Sequence, residues 1–229
     1  MFNGKSSRNF GLYISGSGTF NAPERVSESI EIPGRNGKLT ISQNRFQNIT
    51  VSYPAFIRTD FSRNAQGARA WLLQNEGYYR LEDTYHPDYY RMARFSGPID
   101  FDMRFLNYSG ETTLSFDCKP QRWSKNGENP VLYTQPAILM NDLFPALPLI
   151  KVNGTGAGNL YVGKYTVQMN EIDEYVMLDS ETQNAYKDTL NKNGTISADK
   201  FPVLEPGENT ISWDGGITSI EVTPRWWTI

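Results

Sequence analysis

The feature that most constrains the fold of this chain is an alternation of apolar and polar residues that recurs along most of its length. The clearest run alternates the apolar residues Ile99, Phe101, Met103 and Phe105 with the polar residues Asp100, Asp102 and Arg104. The same period of two recurs in runs centred on Phe116, Val167 and Ile220. This period places one face of a strand in a core and the other in solvent. The pattern therefore predicts a mainly β protein.

Turn residues separate these runs. Asn-Gly or Asp-Gly dipeptides begin at Asn36, Asn153, Asn193 and Asp214. Such dipeptides supply the positive φ angles of tight hairpins, so we expect antiparallel sheets. Gly110 is predicted to form the turn of one hairpin, between the run that begins at Ile99 and the run centred on Phe116.

One segment, residues 62–75, has a helical period instead. Ala65, Ala68 and Leu72 fall on one face at helical spacing. Ser62 is predicted to cap the start of this helix, and Gly77 to adopt the left-handed conformation after its end. The chain is therefore predicted to contain a single helix within β-structure.

The length of 229 residues favours two domains. Four prolines, at positions 130, 136, 145 and 148, fall within residues 129–148. Because proline lacks a backbone N–H donor, we expect this stretch to be an extended linker. The predicted domains are residues 1–130 and 131–229.

Charge is unevenly distributed between these halves. Residues 1–128 carry 16 Lys and Arg against 13 Asp and Glu, whereas residues 129–229 carry 6 against 12. Twelve of the thirteen arginines lie in the first half. Arginine is enriched at protein interfaces, so the first half is interpreted as an interaction surface. The alternative is that these arginines are scattered surface residues.

Composition argues against several function classes. Cys118 is the only cysteine and His86 the only histidine, which argues against a disulfide, a cysteine-rich zinc site and a histidine-based catalytic centre. The net charge of −3 and the lack of a dense basic run argue against specific DNA binding. No run reaches the roughly 20 apolar residues that span a membrane. Because residues 1–10 do not resemble a signal peptide, we expect the protein to be made and kept in a cytoplasm.

Three features leave other functions open. Asp100 and Asp102 are candidates for paired acids of a glycosidase or for a cation site. Residues 154–158 loosely resemble a phosphate-binding loop, although a flexible hairpin explains them better. Trp226 and Trp227 are expected to point to opposite faces, one into the core and one outside, where a tryptophan can stack on a sugar. A carbohydrate-binding accessory module is therefore the alternative from another class.

Four segments then resemble the distal tail proteins of siphophages. Residues 80–93, RLEDTYHPDYYRMA, are similar to the segment that follows the single helix of the first domain in that family. Residues 32–37, IPGRNG, stand where the family has a similar turn. Residues 201–209 and 224–227 resemble the close of the family's second domain.

The resemblance implies an architecture and a role. It implies an antiparallel β-rich first domain with one α-helix that assembles into a hexameric ring, and a C-terminal galectin-like β-sandwich. It also implies a non-enzymatic hub of the virion tail tip, assembled in the bacterial host cytoplasm, with a central channel for DNA. The implied partners are other copies of the chain, the major tail tube protein, the tail-associated protein and receptor-binding or baseplate proteins. The length leaves no room for an inserted carbohydrate-binding module, and no cofactor, metal or catalytic residue is expected.

Site predictions follow from this role. Head-to-tail contacts of the ring are assigned to five arginines, Arg45, Arg58, Arg69, Arg94 and Arg104. Asp100 and Asp102 are the residues predicted to face the channel.

Overall fold

The chain divides into two compact units. A computed structural model describes the chain at residues 1–16, 21–74, 76–104 and 108–229. The first unit comprises Met1–Arg122 with Ile229, and the second comprises Trp123–Thr228. Among the described residues, no helix combines the length and the apolar character needed to cross a membrane.

The described part of the first unit contains one α-helix and eight strands. A short 3-10 turn at Ser7–Phe10 precedes them, and the helix α1 spans Phe61–Leu73. The strands are β1 (Leu12–Ile14), β2 (Arg25–Glu31), β3 (Lys38–Phe46), β4 (Ile49–Ile57), β5 (Tyr79–Leu81), β6 (Tyr89–Phe95), β7 (Asp102–Arg104) and β8 (Ser109–Ser124).

The main sheet of this unit follows the order β1-β4-β8-β6-β5, with β7 also paired to β8. Strand β4 runs antiparallel to β8, with Val51 opposite Phe116 and Tyr53 opposite Leu114. These four residues are buried, while their neighbours along each strand are more exposed. One face of the sheet therefore carries the core, as the alternation predicts.

The helix covers that face. Its buried residues are Phe61, Ala65, Ala68, Trp71 and Leu72, which pack in the same core as the sheet. The predicted stripe is therefore confirmed, but the predicted ends are wrong. The N-cap is Asp60, because the buried Phe61 already belongs to the first turn, and Ser62 lies inside the helix. The C-cap is Gln74, while Gly77 has the expected positive φ of 108° beyond the helix end.

The hairpin predicted around Gly110 has a different register. Gly110 lies within β8, opposite Met103, rather than in the turn. A Cβ atom at Gly110 would lie 2.4 Å from the ring of Phe61. The glycine therefore leaves space for the side chain of the first residue of the helix. Ile99 is buried, but Met103 is exposed, and Phe105 lies outside the described residues.

The second unit is built from strands with two short 3-10 turns, at Lys125–Glu128 and Asn193–Thr195. Its strands are β9 (Val131–Tyr133), β10 (Ala137–Asn141), β11 (Leu149–Val162), β12 (Tyr165–Asp179), β13 (Asn184–Lys187), β14 (Leu190–Asn191), β15 (Ile196–Ser197), β16 (Gly207–Trp213), β17 (Ile217–Thr223) and β18 (Trp227–Thr228).

The long strands β11 and β12 organise this unit. They form an antiparallel pair along almost their whole length, from Leu149 opposite Asp179 to Val162 opposite Tyr165. Strand β11 also pairs with β17 near its start and with β16 near its end. The buried residues of these strands form one core, which includes Val152, Leu160, Val167, Leu178 and Ile220.

The stretch predicted as a linker belongs to this sheet. Strand β9 pairs with β17, and β10 pairs with β16. Pro130 and Pro136 immediately precede these two strands, a position at which proline removes no hydrogen bond from the ladder. Proline density was therefore a misleading signal, and the division between the units falls at residues 122 and 123.

The glycine run at residues 154–158 lies inside β11 and is neither a turn nor a phosphate loop. A Cβ atom at Gly154 would lie 2.3 Å from the carbonyl oxygen of Gly216, so the glycine permits close approach of two strands. The Asn153–Gly154 turn is therefore wrong, whereas Asp214–Gly215 does connect β16 to β17, with Gly215 at a φ of 66°.

Candidate functional site

A two-stranded antiparallel ribbon extends between β1 and β4 in the sequence of the first unit. It consists of β2 and β3, which pair with each other as a separate sheet of their own. Ile30 lies opposite Leu39, and Glu28 opposite Ile41. We refer to residues 25–46 as the ribbon. Asn36 and Gly37 lie between its strands, as the sequence predicts, and Gly37 has a φ of 83°.

The two faces of the ribbon differ in polarity. Directly opposed residues share a face, and strands alternate with a period of two. One face therefore carries the apolar side chains of Val26, Ile30, Leu39 and Ile41 beside Glu28. Along the regularly paired part of the ribbon, the other face carries the polar residues Ser27, Ser29, Glu31, Lys38, Thr40 and Ser42.

The apolar face of the ribbon is open to solvent. Ile30, Leu39 and Ile41 are 38–46% exposed, as is Ile32 just beyond the end of β2. A two-stranded hairpin alone is at best marginally stable in water, and it gains stability when an apolar face packs against another element. The ribbon therefore has the properties of a hairpin whose apolar face packs against another surface.

Local contacts stabilise the two ends of the ribbon. At the base, the guanidinium of Arg25 lies 4.6 Å from the ring centre of Phe46. At the tip, Lys38 Nζ lies 3.0 Å from a carboxylate oxygen of Glu31. That ion pair is exposed and contributes little by itself. These contacts position the ribbon without covering its apolar face.

A second apolar surface of the first unit is a recess of about 410 Å³. Its floor consists of buried residues from the helix, the sheet and the N-terminal segment, Phe2, Tyr53, Trp71, Leu114 and Phe116. Its rim includes the exposed residues Met1, Tyr13, Ile14 and Tyr85. Polar residues also line the recess, among them Ser6, Arg8, Glu82 and Thr84, so an aromatic floor lies within a rim of mixed polarity.

Tyr53 and Asp83, two of the polar residues that line the recess, have partners within the unit. The Tyr53 hydroxyl donates to Asp83 Oδ2 at 2.6 Å. The backbone N–H groups of Tyr85 and His86 donate to Asp83 Oδ1. Burial, together with the hydrogen bond to Asp83, raises the pKa of Tyr53 far above its usual value. The Tyr53 hydroxyl therefore remains a neutral donor to Asp83.

The segment 80–93 forms one wall of this region. Asp83 accepts the N–H groups of the turn that leads from β5 to β6, which explains the place of an Asp before Tyr85 and His86. Arg80 stacks on Tyr90, with 3.8 Å between the guanidinium carbon and the ring centre. His86 is thus a turn residue held by Asp83, the structural role that its context favours over a catalytic one.

The five arginines assigned to subunit contacts are all exposed, but the structure does not bring them together as one site. Arg45 lies on the ribbon and donates to Gln43. Arg69 donates to the carbonyl oxygen of Ile99. Arg58 follows the last residue of β4.

The other two assigned arginines form ion pairs within the unit. Arg94 lies 2.8 Å from Asp117, and Arg104 lies 3.0 Å from Glu111. Burial alone would raise the pKa of Asp117, but hydrogen bonds from Arg94 and other donors hold it below its usual value. These two arginines are therefore less available to a neighbouring chain than sequence alone suggests.

The two aspartates assigned to the channel are exposed. Asp102 lies in β7, opposite Glu111. Asp100 precedes β7 and is not part of the strand, so the expected shared strand face is wrong. Within the described parts of the chain, no group of three or more His, Cys, Asp or Glu residues is placed to hold a metal ion.

The C-terminal tryptophans are both half-buried, so the prediction of one inside and one outside is wrong. The ring of Trp227 stacks on Phe144 at 4.7 Å between centres, and its Nε1 donates to the carbonyl oxygen of Pro145. Trp226 packs against the core of the second unit. Both rings are used for packing, which weakens the case for a sugar-stacking surface.

Comparison with solved structures identifies the fold. The chain is similar to the crystal structure of the phage SPP1 Dit (gp 19.1) protein, with a TM-score of 0.77 and 11% sequence identity over 100% of this chain and 98% of that chain. That protein is described as a paradigm of the hub adsorption apparatus in phages that infect Gram-positive bacteria. This chain has the fold of a siphophage distal tail protein. The predicted mainly β, antiparallel architecture with one helix is confirmed.

The remaining comparisons add little. A chain in the structure of the activated phage P2 baseplate with Ca gives a TM-score of 0.46 and 8% identity over 95% of this chain and 92% of that one. No protein-family model matches the sequence. No curated protein matches it either. The assignment therefore rests on the full-length match in fold to the SPP1 protein.

Sequence reasoning missed the ribbon and the recess as functional surfaces. The ribbon had a signal, because Ile30 and Ile32 alternate with polar residues on one side of Asn36–Gly37, and Leu39 and Ile41 do so on the other. The recess had none, since its lining comes from segments far apart in the sequence.

Proposed function

We propose that this chain is the structural hub of a phage tail tip, in which six copies form a ring at the end of the tail tube. The ring joins the tube to the tail-associated protein and to receptor-binding or baseplate proteins, and DNA passes through its central channel. The observation that carries this proposal is the full-length match in fold to a phage hub protein. Since a fold alone does not fix a function, the proposal also needs local support.

The two units take different roles in this proposal. The first unit, with the helix, the ribbon and the arginine-rich sequence, forms the ring. The second unit is the galectin-like domain carried outside it, and galectin-like refers here to a fold and not to sugar binding. The tryptophans that suggested sugar stacking are half-buried and pack against other residues of the second unit, which favours the architectural role over a carbohydrate-binding module.

Local support comes from the ribbon. Its apolar face is exposed in a single chain although such a ribbon requires cover for stability. A ribbon that covers a different surface on the next chain makes a head-to-tail contact, and such contacts generate closed rings when the rotation allows it. Arg45, on the same ribbon, is the first of the five arginines to replace when subunit contacts are mapped.

The mass of the full-length protein in solution tests the proposal. We expect light scattering to give about six times the 26.0 kDa of one chain, and negative-stain images to show rings. The double variant Ile30→Ser/Ile41→Ser removes apolar contacts from the exposed face and should shift the protein toward the monomer. Its matched control, Ser29→Ala/Ser42→Ala, changes the polar face of the same strands and should still assemble.

A monomer that persists at high protein concentration would contradict the proposed ring. Equal assembly of both double variants would leave the ring in place and remove the ribbon from its contacts. Circular dichroism of each variant separates loss of assembly from loss of fold, since the ribbon lies outside the main sheet of the first unit.

A further inference from the structure

The recess of the first unit has an aromatic floor that is suited to apolar side chains. Tyr53, Asp83 and Tyr85 use their polar groups on one another or on the backbone, and the Tyr85 hydroxyl donates to the carbonyl oxygen of Gly16. Polar residues such as Ser6, Arg8 and Glu82 line the recess together with the aromatic floor of Phe2, Trp71 and Phe116. An apolar centre with a polar rim is the usual arrangement of a protein interface.

The size of the recess also fits side chains of another polypeptide. Its volume of about 410 Å³ lies within the range of about 300–1,000 Å³ found for sites that enclose a small ligand. Side chains on one face of a ribbon stand about 5 Å apart across the pair and about 7 Å apart along a strand. Ile30, Leu39 and Ile41 therefore form a compact apolar cluster that matches an opening of this size.

The apolar face of the ribbon and the recess are unlike surfaces carried by the same chain. We infer that the recess of one copy receives the apolar face of the ribbon from a second copy. Burial of Ile30, Ile32, Leu39 and Ile41, each 38–46% exposed in the single chain, against the aromatic floor gives this contact its driving force. The inference rests on the proposed ring and assigns the surface that closes it.

The geometry of such a contact allows it to repeat from one chain to the next. The ribbon and the recess are different surfaces of the chain. Each chain therefore inserts its ribbon into one neighbour and holds the ribbon of another neighbour in its recess. A two-fold dimer requires the same patch on both partners and does not use unlike surfaces in this way. The inferred contact is therefore of the head-to-tail type that a ring needs.

Cross-linking between two variants that each carry one introduced cysteine tests the contact directly. One variant is Ile41→Cys on the apolar face of the ribbon, and the other is Ile14→Cys on the rim of the recess, where Ile14 pairs with the buried Ala55 and so lies on the core face of the sheet. Burial raises the pKa of the Cys118 thiol to about 12, so the native cysteine stays unreactive. We expect a short bis-maleimide to yield cross-linked dimers when the two variants are mixed, and several-fold less when either is treated alone.

A third variant, Ser29→Cys, provides the matched control because it lies on the polar face of the same strand pair. Mixed with Ile14→Cys, it should give several-fold less cross-linked dimer than Ile41→Cys does. Equal yields from the two faces would overturn the inferred contact, because they would show proximity without the predicted orientation.

A charge on the rim provides a second measurement. Ile14→Arg places a guanidinium at the exposed edge of the recess, and should weaken assembly at least tenfold in the dissociation constant. Thr113→Arg adds the same charge on the opposite face of the sheet, next to the buried Leu114, and should leave assembly unchanged. If Ile14→Arg forms rings with normal affinity and no specific cross-link is found, the recess is not the site that binds the ribbon. The proposed function would still stand. Absence of any oligomer would overturn both.

Discussion

At the scale of single residues, the ion pair of Asp179 and Arg225 shows how the C-terminal segment is held in the second unit. Arg225 donates to Asp179 Oδ1 at 2.6 Å, and the pair is largely buried. Burial alone would raise the pKa of Asp179, but the hydrogen bond and charge of Arg225 outweigh it and hold the pKa below its usual value. The ionised form is therefore the one that stabilises the fold.

The variant Asp179→Asn should lower the free energy of unfolding by about 2 kcal/mol at pH 7, the usual size of a hydrogen bond to a charged group. A depressed carboxyl pKa stabilises the fold fully above the unfolded-state pKa of about 4, and this contribution is lost as the pH falls through the lower folded-state pKa. We therefore expect the difference between variant and parent to shrink below about pH 4. Urea unfolding at pH 7 and at pH 3 measures it.

The control for this prediction is Asp199→Asn, since Asp199 is exposed. It should change stability by less than about 0.5 kcal/mol. A penalty for Asp179→Asn that stays the same at both pH values would show that the loss comes from packing and not from the charge.

Gly216 is the residue at which the second unit tolerates a side chain least. A Cβ atom there would lie 1.8 Å from the backbone carbonyl oxygen of Thr155, which belongs to the central strand β11. Gly216→Ala should therefore destabilise the unit by about 3 kcal/mol or more, because a strand must move. Gly194→Ala is the control, with no heavy atom within 4 Å of its Cβ. Thermal unfolding of the two variants at equal midpoints would refute this assignment.

The same glycines show what sequence reasoning misses at this scale. Asn153–Gly154 has the dipeptide of a hairpin turn, yet Gly154 lies inside β11 because another strand approaches too closely for a side chain. A turn glycine and a close-approach glycine look alike in one sequence. Their difference depends on which distant segment packs there, which local pattern does not encode.

At the scale of elements, the alternating pattern predicts most of the β-structure because one buried face leaves a direct trace in sequence. The run Leu114, Phe116 and Cys118 is buried as expected, as are Tyr53 and Val51, which lie opposite Leu114 and Phe116 on β4. Helix α1 is predicted for the same reason, through Ala65, Ala68 and Leu72. Its ends are not, since the buried Phe61 extends the helix by one residue.

The ribbon shows the limit of that reasoning. Its alternation predicts two strands, and the strands are present, but the apolar face stays exposed in the single chain. An alternating sequence pattern indicates which side chains are buried in the functional state of the protein. It does not indicate whether the residues that bury them belong to the same chain or to another. An amphipathic ribbon without internal cover is therefore itself a signal of assembly.

Hydrogen exchange should detect this behaviour in the ribbon. In dilute, monomeric protein we expect the amides of β2 and β3 to exchange much faster than those of β4 and β8, because the ribbon is an isolated pair. On assembly at high concentration, the ribbon amides should become protected while those of β4 and β8 change little. Ribbon amides that are equally protected in both states would show that the strands are stable without cover.

At the scale of the whole molecule, the proposed ring places strict demands on charge. Duplex DNA carries about one negative charge per 1.7 Å, so a channel lined by free arginines from six chains would bind the genome strongly. Arg94 and Arg104 are instead paired with Asp117 and Glu111 within the first unit. Pairing of this kind lowers the net positive charge that these arginines present to a phosphate backbone.

An assembled hub should therefore bind duplex DNA weakly. We expect arginines such as Arg45 and Arg58 to contact other subunits or tail proteins, and the channel wall to carry neutral or acidic side chains, with Asp100 and Asp102 as exposed candidates. Acidic groups repel phosphate and let DNA pass without being held. A titration of duplex DNA at about 50 and about 200 mM salt measures this, because binding that uses many phosphate contacts falls steeply between those concentrations. The contradicting result is tight binding at the lower salt that is lost both at the higher salt and in an Arg45→Ala/Arg58→Ala variant. It would show that the positively charged first half lines the channel and that the predicted neutral or negative charge of the channel wall is wrong.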